Sequence, residues 1–222
     1  MTAAGTPCEG RPGDVSGAPA KKDDLLHSFW QYVTDLGDSA VTLPLAAFML
    51  LFLLLSHWPR AAGALAASLA VGGSAIALLK LALQSCGYHL LRTTMINPSG
   101  HAAMSTMIYG ALAIVLGAGL SGWRRWAVYV AFILLIVAIA LSRPILHAHN
   151  PEEVLAGFLV GLGAVAIFWR LKGPAQPGVL RVSRLALVAL LLVVAMHGTR
   201  WPIEEQIRSL VALIQAGIPR CA

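Results

Sequence analysis

The stretch Ser142–Glu153, SRPILHAHNPEE, sets two histidines, an arginine, an asparagine and two glutamates between long apolar runs. Glu153 falls four residues after His149, close enough to take a hydrogen bond from its ring. A carboxylate on one ring nitrogen orients the imidazole and makes the other nitrogen more basic, which is what a histidine acting as base or nucleophile near pH 7 requires. The same residues also read as a plain helix start. Asn150 suits the N-cap, Pro151 the first helical position, and Glu152 and Glu153 the first turn. His147 has no carboxylate at the matching spacing and reads as a residue on the lip of a site. A His-x-His with a carboxylate is also a partial metal set. No third firm ligand accompanies it, and Arg143 and Lys80 would repel a divalent ion.

Two further clusters match this one in kind. NPSGHAAMS, Asn97–Ser105, opens an apolar run with small residues. Backbone N–H groups at such a helix start form an anion site, Gly100 allows a phosphate to approach closely, and His101 stands beside it in the first turn. The alternative is a simple N-cap with an interfacial histidine. Lys80, in IALLKLALQSCGY, lies near the end of another apolar run. It either snorkels to the interface or aims its charge inward at an anion.

The elements that position these residues follow from composition. The 222-residue chain is 58% hydrophobic and 12% charged, against roughly 25% charged in soluble domains. Apolar runs of near-spanning length recur at Val41–Ser56, Ala61–Leu83, Ala102–Leu120, Trp126–Leu141, Val154–Trp169 and Leu185–Met196. The pattern predicts an all-α, polytopic membrane helix bundle of about six transmembrane helices. Residues 1–22 read as a disordered tail, rich in Gly, Pro, Ala and Thr and without the apolar core of a signal peptide. Residues 23–38 and 199–222 read as amphipathic segments flanking a membrane domain at 39–198. In the first, Leu25, Leu26, Phe29, Trp30, Val33 and Leu36 share a helical face. Such helices lie in the headgroup plane or pack on the end of the bundle. Cys8, Cys86 and Cys221 form no zinc or CxxC spacing, though Cys8 and Cys221 are able to pair if both face an oxidising space.

Charge gives an orientation. The loops His57–Arg60, Ser121–Arg125 and Arg170–Arg184 carry Arg60, Arg124, Arg125, Arg170, Lys172, Arg181 and Arg184 and no acid. Every Asp and Glu lies on the other side. The basic loops are therefore expected in the cytoplasm. Both termini and the three polar clusters are then expected outside, in the periplasm of a bacterial inner membrane.

The order Lys80; Pro98-Ser99-Gly100-His101; Ser142-Arg143, five residues, His149, three residues, Glu153 resembles the type 2 phosphatidic acid phosphatase superfamily of membrane-embedded lipid phosphate phosphatases. The resemblance runs over roughly Ser74 to Gly163. It implies that His149 attacks phosphorus to form a phosphohistidine, that Glu153, at the family's aspartate position, holds its ring, and that His101 protonates the leaving oxygen and then activates water. It further implies that Lys80, Arg143, Ser99 and Gly100 cradle the phosphoryl oxygens, with no cofactor or metal. The family's first motif places an arginine seven residues after the lysine, where this chain has Gly87, and Arg92 is a candidate substitute from the same loop. The implied partners are a phospholipid or polyprenyl phosphate and the bilayer, not nucleic acid. Undecaprenyl pyrophosphate is the first substrate expected, with phosphatidate, phosphatidylglycerol phosphate and lipid A phosphate close behind. A phosphotransferase on the same scaffold, and a non-catalytic lipid-binding or transport protein with a degenerate site, remain as alternatives. The sequence leaves oligomeric state open.

Overall fold

The computed structural model describes residues 20–91, 97–175 and 182–199, with 201, 205, 206, 209, 210, 212 and 213 beyond them. Among these residues the helices α1 (Ala20–Asp35), α2 (Ser39–Leu55), α3 (Pro59–Leu91), α4 (Gly100–Ala118), α5 (Gly122–Ile145), α6 (Pro151–Leu171) and α7 (Val182–Met196) follow in order. There is no strand among the described residues. The six apolar runs fall on α2 to α7, one each. Among the described residues five stretches are long and apolar enough to cross a bilayer: Asp24–Leu55, Pro59–Gln84, Gly100–Ala118, Gly122–Ile145 and Pro151–Leu171. The sixth run forms the shorter apolar helix α7, whose 15 residues reach only about 22 Å at 1.5 Å per residue, against a hydrocarbon core of roughly 30 Å. The protein is a polytopic membrane helix bundle.

α4 is its central helix. Of its apolar window 72% is buried, against 17% for α5 and 28% for α6. Its most extensive packing is with α5 and α6; α6 also packs on α3, α2 on α3 and α7, and α1 on α5. In a bilayer, hydrophobic burial gives helices no reason to associate, so close packing of small residues must do it. α4 reads GHAAMSTMIYGALAIVLGA. Its Ser105 and Thr106 hydroxyls are satisfied on its own backbone, Ser105 Oγ donating to His101 O at 2.6 Å and Thr106 Oγ1 to Ala102 O at 2.6 Å. They therefore leave no unpaired donor in the interior. On α6, Gly157 and Gly161 face α4. A Cβ on Gly157 would collide with the Ser99 carbonyl, and one on Gly161 would lie 2.8 Å from Ala103 O. This Gly-x3-Gly face seats the second and third turns of α6 directly on the first two turns of α4.

α2 and α5 end in the same way. Ala148 N–H donates to Arg143 O at 2.9 Å and His147 N–H to Pro144 O at 3.0 Å, with His147 at φ +53. Trp58 N–H donates to Leu53 O and His57 N–H to Leu54 O, with His57 also at φ +53. These paired bonds around a left-handed residue are the Schellman termination, here with histidine where glycine is usual. After α5 it reverses the chain within five residues, so that Arg143, in the last turn of α5, stays near enough to His149 for its charge to act on the ring.

Candidate active site

Glu153 is the hub of the polar end. It is 6% exposed, and each of its oxygens is used. Oε2 lies 3.0 Å from His149 Nδ1 and accepts Asn150 N–H at 3.2 Å. Oε1 accepts Asn97 N–H at 2.7 Å. Its main-chain oxygen accepts Ser99 N–H at 2.9 Å. The helix-start reading and the histidine-holding reading are therefore compatible, because the carboxylate sits in the first turn of α6 and reaches both His149 and the 97–99 turn.

With Nδ1 donating to this carboxylate, the tautomer leaves the lone pair on His149 Nε2. Burial lowers the His149 pKa below the usual imidazole value. The hydrogen bond and charge of Glu153 pull it up, and the positive charges of Arg143 and Lys80 push it down, with a net downward shift. A buried, neutral, oriented imidazole is the form able to attack an electrophile at neutral pH.

Lys80 is 2% exposed, and its Nζ donates to Asn97 Oδ1 at 2.9 Å. A Cβ on Gly100 would lie 3.8 Å from that Nζ, so the ammonium stands against the start of α4. Ser99 is fully buried and caps α4, its Oγ accepting Ala102 N–H at 3.4 Å. Arg143 Nη1 donates to Thr34 Oγ1 at 2.8 Å. His101 Nε2 lies 3.6 Å from Asp38 Oδ2. His147 is exposed, and among the described residues no three His, Cys, Asp or Glu side chains gather as metal ligands do. Arg92 lies outside the described residues, as do Cys8 and Cys221.

Lys80, Gly100, His101 and Asp38 line one end of a cavity of about 380 Å3. Its other end is apolar, walled by Leu43, Leu69, Gly73, Ile76 and Met104 from α2, α3 and α4. The arrangement suits a ligand with a phosphate at one end and hydrocarbon at the other.

Asp38, Thr34 and Gly37 were not legible as site residues. In the sequence Asp38 is only one of the acids on the side away from the basic loops, and nothing there says that it meets a histidine 63 positions later. The Gly157-x3-Gly161 spacing is a visible helix-packing signal, but its partner helix is not encoded beside it.

A sequence model of the PAP2 superfamily matches residues 81–177. An uncharacterised 22.5 kDa protein in the cps region of Klebsiella pneumoniae is 33% identical over 141 residues, covering 63% of this chain and 67% of its own length. No solved structure matches the chain at a significant level.

Proposed function

From the chain's membership in the PAP2 superfamily and the geometry of its polar end, we propose that it hydrolyses a lipid phosphate or pyrophosphate through a phosphohistidine on His149. The observation that carries this is the double engagement of Glu153, which holds His149 at 3.0 Å and the Asn97 amide at 2.7 Å. One carboxylate thereby ties the nucleophile to the turn that would cradle its target.

In the first half-reaction the His149 Nε2 lone pair forms a bond to phosphorus. The bond from phosphorus to the leaving oxygen breaks, and that oxygen takes a proton from His101. In the second, water attacks phosphorus and passes a proton to His101, and the P–N electrons return to Nε2. Lys80 and Arg143 neutralise charge spread over the phosphoryl oxygens, where most of the stabilisation in phosphoryl transfer arises. Ser99 and the Gly100 amide would complete the cradle. We assign Arg92 to the third cation that the family pattern expects, since Gly87 offers no side chain. The cavity behind Lys80 and His101 would take the hydrocarbon tail. Undecaprenyl pyrophosphate is the first substrate to test, with the active site facing the periplasm of an inner membrane.

The test is phosphate release by the purified protein from a panel of phosphatidate, phosphatidylglycerol phosphate, lipid A phosphate and undecaprenyl pyrophosphate, with trapping of labelled phosphoprotein. His149→Ala should insert and fold but neither turn over nor label. Arg92→Ala in the same assay should lose roughly 30- to 1,000-fold, the share of one transition-state cation of about 2–4 kcal/mol. Near-normal rates in His149→Ala would remove the nucleophile assignment. Labelled lipid product without free phosphate would indicate transfer rather than hydrolysis.

A further inference from the structure

The corner between α1 and α2 lies outside residues 81–177, yet it is fastened to the site at every turn. Tyr109 on α4 donates its hydroxyl to Leu36 O at 2.7 Å. Arg143 on α5 donates to Thr34 Oγ1 at 2.8 Å. Gly37 fits where a Cβ would lie 2.6 Å from Ile139 Cγ2 and 3.5 Å from His101 Cβ, so the corner rests directly on the His101 side chain. Asp38 follows, 8% exposed.

Asp38 does more than a cap needs. Its Oδ1 accepts Ala40 N–H at 2.8 Å, and more distantly Trp201 N–H at 3.5 Å. Serine, threonine or asparagine would cap α2 as well without a charge, and a buried carboxylate is costly unless it has a partner. The second oxygen, Oδ2, faces His101 Nε2 at 3.6 Å. From the corner between α1 and α2, Asp38 is the charge that faces this ring. From α3, Lys80 stands across the shared cavity. Arg143, His149 and Glu153 belong to the α5–α6 side. A cation across the cavity disfavours a protonated imidazole, and a carboxylate at this distance opposes it.

We infer that Asp38 is the positioning residue of His101, holding the ring from Nε2 and keeping its proton available for the departing oxygen. The inference rests on the phosphatase reading for the identity of that oxygen, but not for the pairing itself. The site thus contains two histidine–carboxylate pairs. Glu153 aligns the nucleophile through Nδ1, and Asp38 aligns the proton donor through Nε2.

Asp38→Asn separates the two duties of the residue, since asparagine caps a helix as well as aspartate does. For a lipid phosphate, whose alkoxide leaving group needs a proton, kcat should fall roughly 10- to 100-fold, part of the usual range for general acid catalysis. KM should not rise. The alkaline limb of the pH profile should move to lower pH by about one unit. For p-nitrophenyl phosphate, whose leaving group departs without protonation, phosphoprotein formation should stay within about twofold of wild type, a pattern that loss of fold does not produce. Asp38→Ala, which also removes the cap, should lower thermal stability where Asp38→Asn does not. Equal loss on both substrates with no movement of the limb would reduce Asp38 to a cap and overturn the inference. A readout independent of turnover is the titration of 15N-labelled His101, assigned with His101→Gln. Its midpoint should drop in Asp38→Asn, and an unchanged midpoint overturns the pairing whatever the substrate. A wild-type protein that cleaves no phosphoester, yet shows this drop, would sink the phosphatase reading and leave the pair standing.

Discussion

Glu153 stands at the position where the family pattern has aspartate, and the extra methylene has a physical consequence here. The side chain starts in the first turn of α6 yet must meet Asn97 N–H at 2.7 Å through one oxygen and His149 Nδ1 at 3.0 Å through the other. A carboxylate one bond shorter cannot keep both at those distances without moving a helix. Glu153→Asp, although it restores the family's residue, should therefore cost about tenfold or more in kcat. Glu153→Gln should cost more, of order 100-fold or above, since the amide keeps the shape but no longer fixes the tautomer with its lone pair on Nε2. The pH profile separates alignment from charge. The acidic limb of kcat/KM for the wild type should lie below the usual imidazole range, because burial, together with the charges of Arg143 and Lys80, lowers the His149 pKa more than Glu153 raises it. Removing the upward pull of the carboxylate in Glu153→Gln should move that limb lower still. A limb that stays where it is would show that Glu153 does not interact with His149 in solution.

The helices carry the site through close contacts that only small residues permit. A methyl on Gly157 would strike the Ser99 carbonyl, and relieving the clash means lifting α6 and its Glu153 away from the 97–99 turn. Gly157→Ala should therefore lower activity at least tenfold on every substrate and also lower the melting temperature. Gly73 is the contrast. A Cβ there meets nothing within 4 Å, and the residue lines the apolar end of the cavity. Gly73→Leu should leave folding intact, since leucine favours helix over glycine, while turnover of long-tailed lipids falls and that of a short-chain phosphate does not. Equal losses on both substrates would place the hydrocarbon elsewhere. These pairs also show what a sequence can reveal at this scale. The six apolar runs are legible because the bilayer demands a satisfied backbone and near-spanning length of each segment separately. The PSGH and SR-x5-H clusters are legible because each is local to one helix junction. The meeting of Gly37 and Asp38 with His101 is tertiary, fixed by Tyr109 and Ile139 on other helices, and leaves no trace in local pattern. Arg92 falls in a segment outside the described residues, so its assignment still rests on charge and spacing in the chain.

Across the whole molecule the charges separate to opposite ends. At one end Arg60 Nε donates to Leu171 O at 3.1 Å, Lys172 Nζ lies 5.6 Å from the Trp58 ring centroid, and Arg125 Nε donates to Gly117 O at 3.0 Å. The first two contacts join the basic loops between α2 and α3 and after α6, and the third stays within the α4–α5 junction. At the other end are Asp38, Lys80, His101, Arg143, His149 and Glu153. Lys80 lies 21 residues beyond Pro59, the first residue of α3. At 1.5 Å per residue that is about 31 Å, one hydrocarbon thickness. Its ammonium is therefore level with the far interface, where a lipid headgroup sits, and not at mid-membrane. By the rule that basic loops stay in the cytoplasm, the end that carries His101 and His149 should open to the opposite compartment. Reporter cysteines test this in a background with Cys8, Cys86 and Cys221 changed to serine. Ala148→Cys lies in the exposed turn beside His149, and Ser121→Cys in the exposed loop between α4 and α5. Neighbouring Gly122 is unsuited to a reporter because its φ of +57 strains any side chain. In intact cells with a permeabilised outer membrane, an impermeant maleimide should label Ala148→Cys and spare Ser121→Cys, with both labelled after detergent lysis. The reverse pattern would put the site in the cytoplasm. It would exclude a periplasmic lipid pool as the substrate source while leaving the geometry of the two histidine–carboxylate pairs untouched.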